Sequence, residues 1–240
     1  MMSEKELKNT FVLSLGGSVF APNGERSRID IEYLHQFDKF IRKQVALKRR
    51  FFIVTGGGYT ARQYRDAAAQ AAGNHITDED LDWVGVHATR LNAHLLRTIF
   101  RDIAYPWVLK HYEMVDKKAL DYPVVMCAGW KPGWSTDYCA VTVAEDYKIK
   151  TVINLSNIDS IYDKDPLKNK QAKAIKKLNW SELIKLVGDK WRPGLNSPFD
   201  PIACRLAKKI KLKVIVCNGH KFKNLEKILD NKVYTGTAIE

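Results

Sequence analysis

Short runs of β-branched and aromatic residues recur along the chain, and each run is bounded by glycine, proline or polar residues. Such runs are typical of buried β-strands. They predict five strands, in "TFVLSL", "RRFFIVT", "YPVVMC", "IKTVINLS" and "LKVIVCN". The run "PWVLKHY" at residues 106–112 predicts a weaker sixth strand.

Longer segments with a helical period lie between these runs. They predict helices at residues 30–48, 60–72, 79–101, 135–147 and 200–210. In the helix at 79–101, the apolar residues Trp83, Val84, Leu91 and Leu95 are expected to face inward. Because strands alternate with helices, the sequence predicts the α/β class, as a three-layer α/β/α sandwich around a mainly parallel sheet.

Length and composition are those of an ordinary globular protein. At 240 residues, with 45% hydrophobic and 28% charged residues, the chain can bury a core without disulfides or metals. It has no fixed-period repeat and no Gly/Ser linker, and its one composition shift is the polar segment 163–176. We therefore expect residues 1–240 to form a single domain with two lobes.

Targeting and redox signals are weak. The N-terminal residues lack an apolar signal segment, and no stretch approaches the roughly 20 apolar residues that a membrane helix needs, so we expect a cytoplasmic protein without a membrane partner. The four cysteines have no metal-ligand spacing and lie in apolar runs, which predicts reduced core residues. They are Cys127, Cys139, Cys204 and Cys217.

The formal charge of +12 is the one unusual feature of the composition. A basic chain can bind nucleic acid, but here Lys and Arg are spread over several segments with surface-like spacing. A basic surface that attracts small polyanions explains the charge equally well. The composition therefore does not favour nucleic acid as the main partner.

Two glycine turns follow the first two predicted strands, where ligands of open α/β sheets bind. The first contains Gly16, Gly17 and Ser18, and the second is "TGGGYTAR", from Thr55 to Arg62. Glycine N–H groups at the start of a helix, with an arginine one turn on, can hold an anion. A tight turn with a solvated arginine is the alternative. Neither turn is a Walker A or a Rossmann motif.

The segment from Gly129 to Glu145 combines a Pro-Gly loop with Ser135, Thr136 and Asp137 at the start of a predicted helix. Helix capping alone could explain the three polar residues. The loop is longer than capping needs, however, and it offers hydroxyl and N–H groups to a phosphate.

A third polar turn follows the fourth predicted strand. Its residues Ser156, Asn157, Tyr162 and Asp165 could form an adenosine site, because an aromatic face and a carboxylate suit a base and its hydroxyls. A solvated acidic turn is the alternative. In the helix at 79–101, His87 and His94 have no third metal ligand at a suitable spacing, which favours surface or interface positions.

Taken in order, these motifs resemble the amino acid kinase superfamily, and within it the archaeal-type uridylate (UMP) kinases. The segments that carry the resemblance are "GGSV", "TGGGYTAR", "DWVGVHATRLNA", "GWKPGWSTD", "NLSNIDSIYDKDP" and "DPIA". The resemblance implies transfer of the γ-phosphoryl group of ATP to UMP, in pyrimidine biosynthesis. It also implies a lobe at about 11–130 on the phosphate-acceptor side and a lobe at about 131–240 on the ATP side.

The resemblance assigns roles to matching positions. It implies ATP contacts for Gly17, Ser18, Gly58, Arg62, Ser156, Asn157, Tyr162 and Asp165. It implies UMP contacts for Gly57, Asp82, Gly129, Trp130, Lys131, Pro132, Gly133, Trp134, Ser135 and Thr136. It implies catalytic roles for Arg62, Lys131 and Asp137. Mg²⁺ is expected to bind through the ATP phosphates without a protein ligand.

The chain departs from the superfamily pattern at two places. Just upstream of "DPIA", where a lysine is often found, it has Asn196, Ser197 and Pro198. Many members also have a lysine two residues before the glycine pair, where this chain has Ser14. Lys131 is the candidate for the missing positive charge, with Arg90 behind it. Related kinases assemble as hexamers made of dimers, so a homo-oligomer is expected, with the face around Trp83 and His87 as a possible interface.

Two other functions remain open at this point. One is a kinase of the same superfamily that acts on another acid or phosphate, such as isopentenyl phosphate, although the expected histidine is missing from "TGGGYTAR". The other is a non-catalytic relative that binds nucleotides or stores anions.

Overall fold

A computed structural model describes residues 2–22, 29–164, 169–188 and 198–240. The helices in these ranges are α1 Glu4–Lys8, α2 Gly17–Phe20, α3 Ile31–Ala46, α4 Gly58–Ala72, α5 Asp78–Ile99, α6 Thr136–Asp146, α7 Trp180–Val187, α8 Pro201–Lys209 and α9 Phe222–Leu229. The strands are β1 Thr10–Leu15, β2 Arg50–Thr55, β3 Val124–Cys127, β4 Thr151–Ser156, β5 Ile161–Tyr162, β6 Ala174–Ile175, β7 Lys177–Leu178, β8 Lys213–Asn218 and β9 Thr237–Ile239. None of the described helices is long and apolar enough to cross a membrane.

Seven strands form one sheet in the order β3-β2-β1-β4-β8-β9-β7. All neighbours are parallel except β8 and β9, which are antiparallel. The chain runs outward from β1 to β3 and then returns to place β4 on the other side of β1. Parallel neighbours that diverge in this way leave a crevice at their carboxyl ends, which is where the site lies.

Helices cover both faces of the sheet, and successive β1 residues point to opposite layers. Phe11, Leu13 and Leu15 pack in a core with side chains from α3, α5 and α9. Val12 packs in a second core with α6, α7 and α8. The predicted three-layer α/β/α sandwich around a mainly parallel sheet is confirmed. The four cysteines are buried and free, as expected.

The predicted sixth strand at residues 106–112 was wrong. This segment makes only an isolated bridge, between Leu109 and Cys127 on the outer edge of β3. Proline at position 106 cannot donate a backbone hydrogen bond, and the segment covers the sheet edge irregularly. The sequence reading also missed the sheet edge formed by β9 and β7, whose strands are only three and two residues long.

The predicted inward face of α5 was wrong for Trp83 and Leu91, whereas Leu95 packs against the core as expected. Trp83 and Leu91 are exposed, at 39% and 62% of their surface. The buried face carries Leu96 together with smaller or polar residues: Val86, Ala88, Thr89, Asn92 and Ala93. Trp83 and Leu91 therefore lie on an outer surface, while the inner surface borders the crevice.

The two glycine turns touch each other backbone to backbone. A Cβ on Gly17 would lie 2.1 Å from the amide nitrogen of Gly58, and a Cβ on Gly56 would lie 2.4 Å from the nitrogen of Gly17. Gly58 has a φ of +62°, which L-residues rarely adopt. Glycine is thus required at these positions so that the loops after β1 and β2 can pack without side chains between them.

We expect Gly17→Ala to destabilise the fold by about 2–3 kcal/mol, because the added methyl group must push the two loops apart. Gly85→Ala is the matched control. It lies inside α5, and its new Cβ would meet only the Arg65 side chain, at 3.9 Å. Since alanine favours a helix over glycine by about 1 kcal/mol, this control should not lose stability. Urea denaturation measures both, and equal effects of the two variants would contradict the prediction.

Candidate functional site

A cleft of about 320 Å³ opens at the carboxyl ends of the central strands. Its walls come from the starts of α4, α6 and α8, the inner face of α5 and the loop after β3. The lining residues are Gly57, Gly58, Ala61, Arg62, Arg65, Asp82, Gly85, Val86, Thr89, Gly129, Trp134, Ser135, Thr136, Asp137 and Asp200.

Two helix N-termini face each other across this cleft. Gly57 is the N-cap of α4, and Ser135 is the N-cap of α6, where its hydroxyl accepts a hydrogen bond from the Tyr138 N–H. The first N–H groups of a helix have no partner within the helix, and the helix dipole adds partial positive charge there. With Arg62 on the first turns of α4, the cleft therefore has the electrostatic character of an anion site.

A half-buried carboxylate lies on the floor of the cleft. Asp137 Oδ1 accepts hydrogen bonds from Ser14 Oγ at 3.1 Å and from Asn154 Nδ2 at 3.0 Å. Its Oδ2 accepts from the backbone N–H of Asp200 at 3.3 Å. These donors come from β1, β4 and the start of α8, so Asp137 joins three elements beneath the crevice.

A second carboxylate lies beside the first. Asp200 is only 5% exposed and caps α8, with Oδ1 accepting from Ala203 N–H at 3.1 Å. Its other oxygen, Oδ2, is buried without a hydrogen-bond partner among the described residues. Burial, followed by the nearby charge of Asp200, raises the pKa of Asp137 to about 7. The floor of the cleft thus holds two acidic groups and one unsatisfied oxygen.

The loop after β3 is tied to α5 at three points. The Gly129 N–H donates to Thr89 Oγ1 at 2.8 Å, and Arg90 donates to the carbonyls of Gly129 and Trp130 at 3.2 and 2.6 Å. The Gly133 N–H donates to Asp82 Oδ2 at 2.8 Å. Arg90 is therefore occupied with loop carbonyls, and Asp82 holds the loop while also lining the cleft.

The same loop carries a cluster of aromatic rings. The Trp130 and Trp134 rings meet edge to face with centroids 4.6 Å apart, and Trp134 meets Tyr138 in the same way at 4.4 Å. Lys131 lies over the Trp130 ring, with Nζ 4.1 Å from the centroid. Contacts of this kind stabilise a loop conformation. Of the cluster, Trp134 reaches the cleft.

The structure brings together six of the residues implied to contact UMP. These cleft-lining residues are Gly57, Asp82, Gly129, Trp134, Ser135 and Thr136. Trp130, Lys131, Pro132 and Gly133 belong to the same loop but do not line the cleft. Among the residues implied to be catalytic, Arg62 and Asp137 line it, whereas Lys131 is exposed on the Trp130 ring.

The residues implied to contact ATP lie along the neighbouring strand ends. Gly17 and Gly58 are in direct contact, as described above. Ser18 follows Gly17 in the short helix α2, and its carbonyl accepts from Asn157 Nδ2 at 3.5 Å. Ser156 ends β4, next to Asn157, while Tyr162 lies in the hairpin strand β5. Asp165 lies outside the described residues.

Several cleft residues were missed by the sequence analysis as binding residues. Arg65, Gly85 and Thr89 line the cleft, and Asp200 was seen only as part of a motif. Helical spacing could have found them, because Arg65 is three residues after Arg62, while Gly85 and Thr89 are three and seven residues after Asp82. Such residues share a helix face with a residue already assigned to the site.

Comparison with known proteins shows the family to which the chain belongs. The model of the amino acid kinase family matches residues 9–218. The chain is 35% identical to a uridylate kinase of Sulfurisphaera tokodaii over 91% of its length and 92% of that protein. It is 34% identical to a uridylate kinase of Thermoplasma volcanium, over 98% and 99% of the two chains. The crystal structure of uridylate kinase from Archaeoglobus fulgidus superposes with a TM-score of 0.80 at 31% identity, over 96% and 99% of the chains.

The pKa of about 7 at Asp137 predicts a pH dependence of stability. Because this pKa is raised on folding, the native state holds the proton more tightly than the unfolded chain, and the free energy of unfolding falls as the pH rises from about 4 to about 7. Asp137→Asn is neutral at every pH and lacks this contribution. The free energy of unfolding of the wild type minus that of the variant should be about 2 kcal/mol larger at pH 5 than at pH 8. Urea denaturation at both pH values tests this, and an unchanged difference would contradict it.

Proposed function

The chain belongs to the amino acid kinase family, and from this premise we propose that it is a uridylate kinase. It transfers the γ-phosphoryl group of ATP to the phosphate of UMP and releases UDP and ADP. The observation that carries the proposal is the cleft in which the N-termini of α4 and α6 face each other next to Arg62. Two phosphate-bearing substrates need such an arrangement, and the similar proteins named above are uridylate kinases.

The acceptor occupies the cleft between α4, α5 and the loop after β3. Its phosphate lies near Arg62 and the backbone N–H groups that begin α4 and α6. Asp82 accepts hydrogen bonds from the ribose, and the Trp134 ring borders the base. This places the acceptor on the side of the lobe formed by about residues 11–130, together with the loop that follows it.

ATP lies across the glycine turns, towards the lobe formed by about residues 131–240. Its phosphates contact Gly17, Ser18 and Gly58, and its nucleoside contacts the ends of β4 and β5 near Asn157 and Tyr162. The contact between Asn157 Nδ2 and the Ser18 carbonyl joins the two parts of this surface. The backbone contact between the glycine turns brings the ATP phosphates and the acceptor phosphate next to each other.

Positioning and charge neutralisation account for the chemistry. A phosphate acceptor is already ionised near neutral pH, so the reaction does not require a general base. Arg62 and the N–H groups of α4 and α6 hold the reacting phosphates in line and offset their negative charge. Asp137, which lies beneath them, is held in place by Ser14 and Asn154.

The floor of the cleft fits a magnesium ion. Asp200 Oδ2 is a buried oxygen without a partner among the described residues, and Asp137 lies beside it. Mg²⁺ prefers one or two carboxylates together with phosphate oxygens and water. Asp137 and Asp200 are therefore the residues that would hold the ion, in addition to the ATP phosphates. When bound, the ion neutralises charge on the transferred phosphoryl group, which is the charge that a lysine at position 14 would otherwise offset.

We further propose that the chain acts in the cytoplasm, in pyrimidine nucleotide biosynthesis, as a homo-oligomer, with the hexamer as the assembly implied by the resemblance. The apolar outer face of α4 and α5 supports self-association. It carries Tyr64, Trp83, His87 and Leu91 around an open groove. Tyr64 and Leu91 are 64% and 62% exposed, which is unusual for large apolar residues so close together.

The proposed activity predicts ADP release that depends on UMP. ADP release is measured with ATP, Mg²⁺ and one acceptor at a time: UMP, CMP, isopentenyl phosphate or acetylglutamate. UMP should give the highest kcat/KM. If UMP released no more ADP than ATP alone while ATP still bound in calorimetry, the chain would be a non-catalytic relative. If another acceptor exceeded UMP, it would be a kinase of different specificity.

Arg62→Ala tests the catalytic cleft within the same assay. Loss of a charged donor to the transferred group should lower kcat/KM by about 100-fold or more. Arg101→Ala removes an exposed arginine at the end of α5 and should leave the rate near that of the wild type. A similar loss in both variants would indicate a general effect of charge rather than a role for Arg62.

If the outer face of α4 and α5 is the interface of a homo-oligomer, we expect Leu91→Lys on that face to yield a smaller species in analytical ultracentrifugation. A buried lysine at an apolar interface carries a large desolvation cost. Leu47→Lys is the matched control, because Leu47 is also exposed, at 56%, and lies after α3. If neither variant changed the sedimentation coefficient, this face would not be the interface.

A further inference from the structure

Arg65 is a second arginine in the cleft, with no role assigned so far. It lies three residues after Arg62 and seven after Gly58, so all three residues share the face of α4 that lines the cleft. Arg62 lies about one helical turn beyond the glycine turns, and Arg65 lies about two turns beyond them. Arg65 is therefore farther from the reacting phosphates, and it borders the part of the cleft next to α5.

The guanidinium of Arg65 carries a hydrogen-bond donor without an acceptor among the described residues. Its Nε is buried and makes no hydrogen bond among the described residues. The Arg65 Cδ lies 3.9 Å from the position that a Cβ on Gly85 would take, so its stem runs along α5. A buried N–H group without an acceptor is unfavourable, and natural proteins leave few of them. A ligand that offers an oxygen at this point would satisfy it.

Asp82 faces Arg65 from α5. The two charges attract each other, since Arg65 opposes the rise in the Asp82 pKa that burial causes. Asp78, one turn earlier on α5, acts in the opposite direction. Asp82 Oδ2 accepts the Gly133 N–H. The neighbouring helices α4 and α5 therefore bring to one cleft a guanidinium whose Nε has no acceptor among the described residues and a carboxylate that accepts hydrogen bonds.

The two vicinal hydroxyls of a ribose match such a pair, because a hydroxyl can donate or accept a hydrogen bond. One hydroxyl can donate to the Asp82 carboxylate while the other accepts from Arg65 Nε. A deoxyribose has only one of these hydroxyls and leaves one of the two groups without a partner. A site built to bond a hydroxyl discriminates strongly against the analogue that lacks it.

We propose that Arg65 is a specificity-determining residue that, together with Asp82, selects ribonucleotide over deoxyribonucleotide acceptors. The proposal rests on the proposed function, and it adds a direct substrate contact for Arg65. The two residues act as a unit: Arg65 contacts the acceptor hydroxyl and keeps the Asp82 carboxylate charged and oriented towards it.

The test compares UMP with dUMP as acceptors. For each variant, the ratio of kcat/KM for UMP to that for dUMP is measured, and calorimetry gives the dissociation constants of both nucleotides. Arg65→Met keeps the apolar stem and removes the donors. Arg97→Met is the matched control, because Arg97 also has a buried, unpartnered Nε but lies on α5 outside the cleft lining. Thermal denaturation shows that the variants are folded.

We expect Arg65→Met to lower the UMP/dUMP ratio at least fivefold, mostly through weaker UMP binding, while Arg97→Met keeps the wild-type ratio. Asp82→Asn should lower the ratio similarly, and the double variant should lose little more, because the two residues act on the same hydroxyls. Should Arg65→Met not fold, Arg65→Lys is measured instead. It keeps the charge but lacks the Nε donor, and it should lower the ratio at least threefold.

A ratio within twofold of wild type in the Arg65 variant would overturn the inference and leave the proposed function intact, as would an equal change in Arg97→Met. A wild type that neither binds nor phosphorylates UMP would overturn the proposed function and this inference with it.

Discussion

The contact between two glycine turns sets the geometry of the whole site. The turns after β1 and β2 pack backbone against backbone, with Gly17 fitting where no Cβ can be placed. Hydrogen bonds hold the turns from both sides, from the Gly56 N–H to the Leu15 carbonyl and from Asn92 Nδ2 to the carbonyls of Gly56 and Gly57. This contact fixes the start of α4 and, with it, the direction in which Arg62 points. A looser contact would move the start of α4, and Arg62 with it, away from the turn after β1.

Opposite charges are arranged in layers around that contact. Helix N-termini and arginines line the walls of the cleft, whereas the carboxylates of Asp137 and Asp200 lie beneath them on the floor. Burial, and after it the nearby charge of Asp200, disfavour the ionised form of Asp137 and raise its pKa. Bound phosphate groups would offset the positive charge of the cleft walls, and a bound cation would offset the negative charge of Asp137 and Asp200. The overall charge of +12 adds a long-range attraction for nucleotides.

Local signals made much of the fold predictable. The five central strands are apolar runs bounded by breakers, and the five predicted helices match α3, α4, α5, α6 and α8 to within about two residues at each end. The edge of the sheet was not predictable in the same way, since β7 has two residues and is held by its pairing with β9 rather than by its own pattern. Of the site, the glycine turns and the capping residues were visible in the sequence. The unsatisfied atoms on Arg65 and Asp200 were not, because a missing partner is a property of three-dimensional packing.

The outward position of Trp83 and Leu91 on α5 follows from the contacts that the inner side of this helix makes with the neighbouring loops. Thr89 accepts the Gly129 N–H through its hydroxyl and a hydrogen bond from Thr55 through its carbonyl, while Asn92 holds the second glycine turn. Close approach of these loops leaves room only for small or polar side chains next to them, as at Ala88 and Ala93. Trp83 and Leu91 lie on the outer face, where they are exposed. Large apolar residues at helical spacing usually lie in the core, and α5 departs from this rule where its inner face borders the cleft.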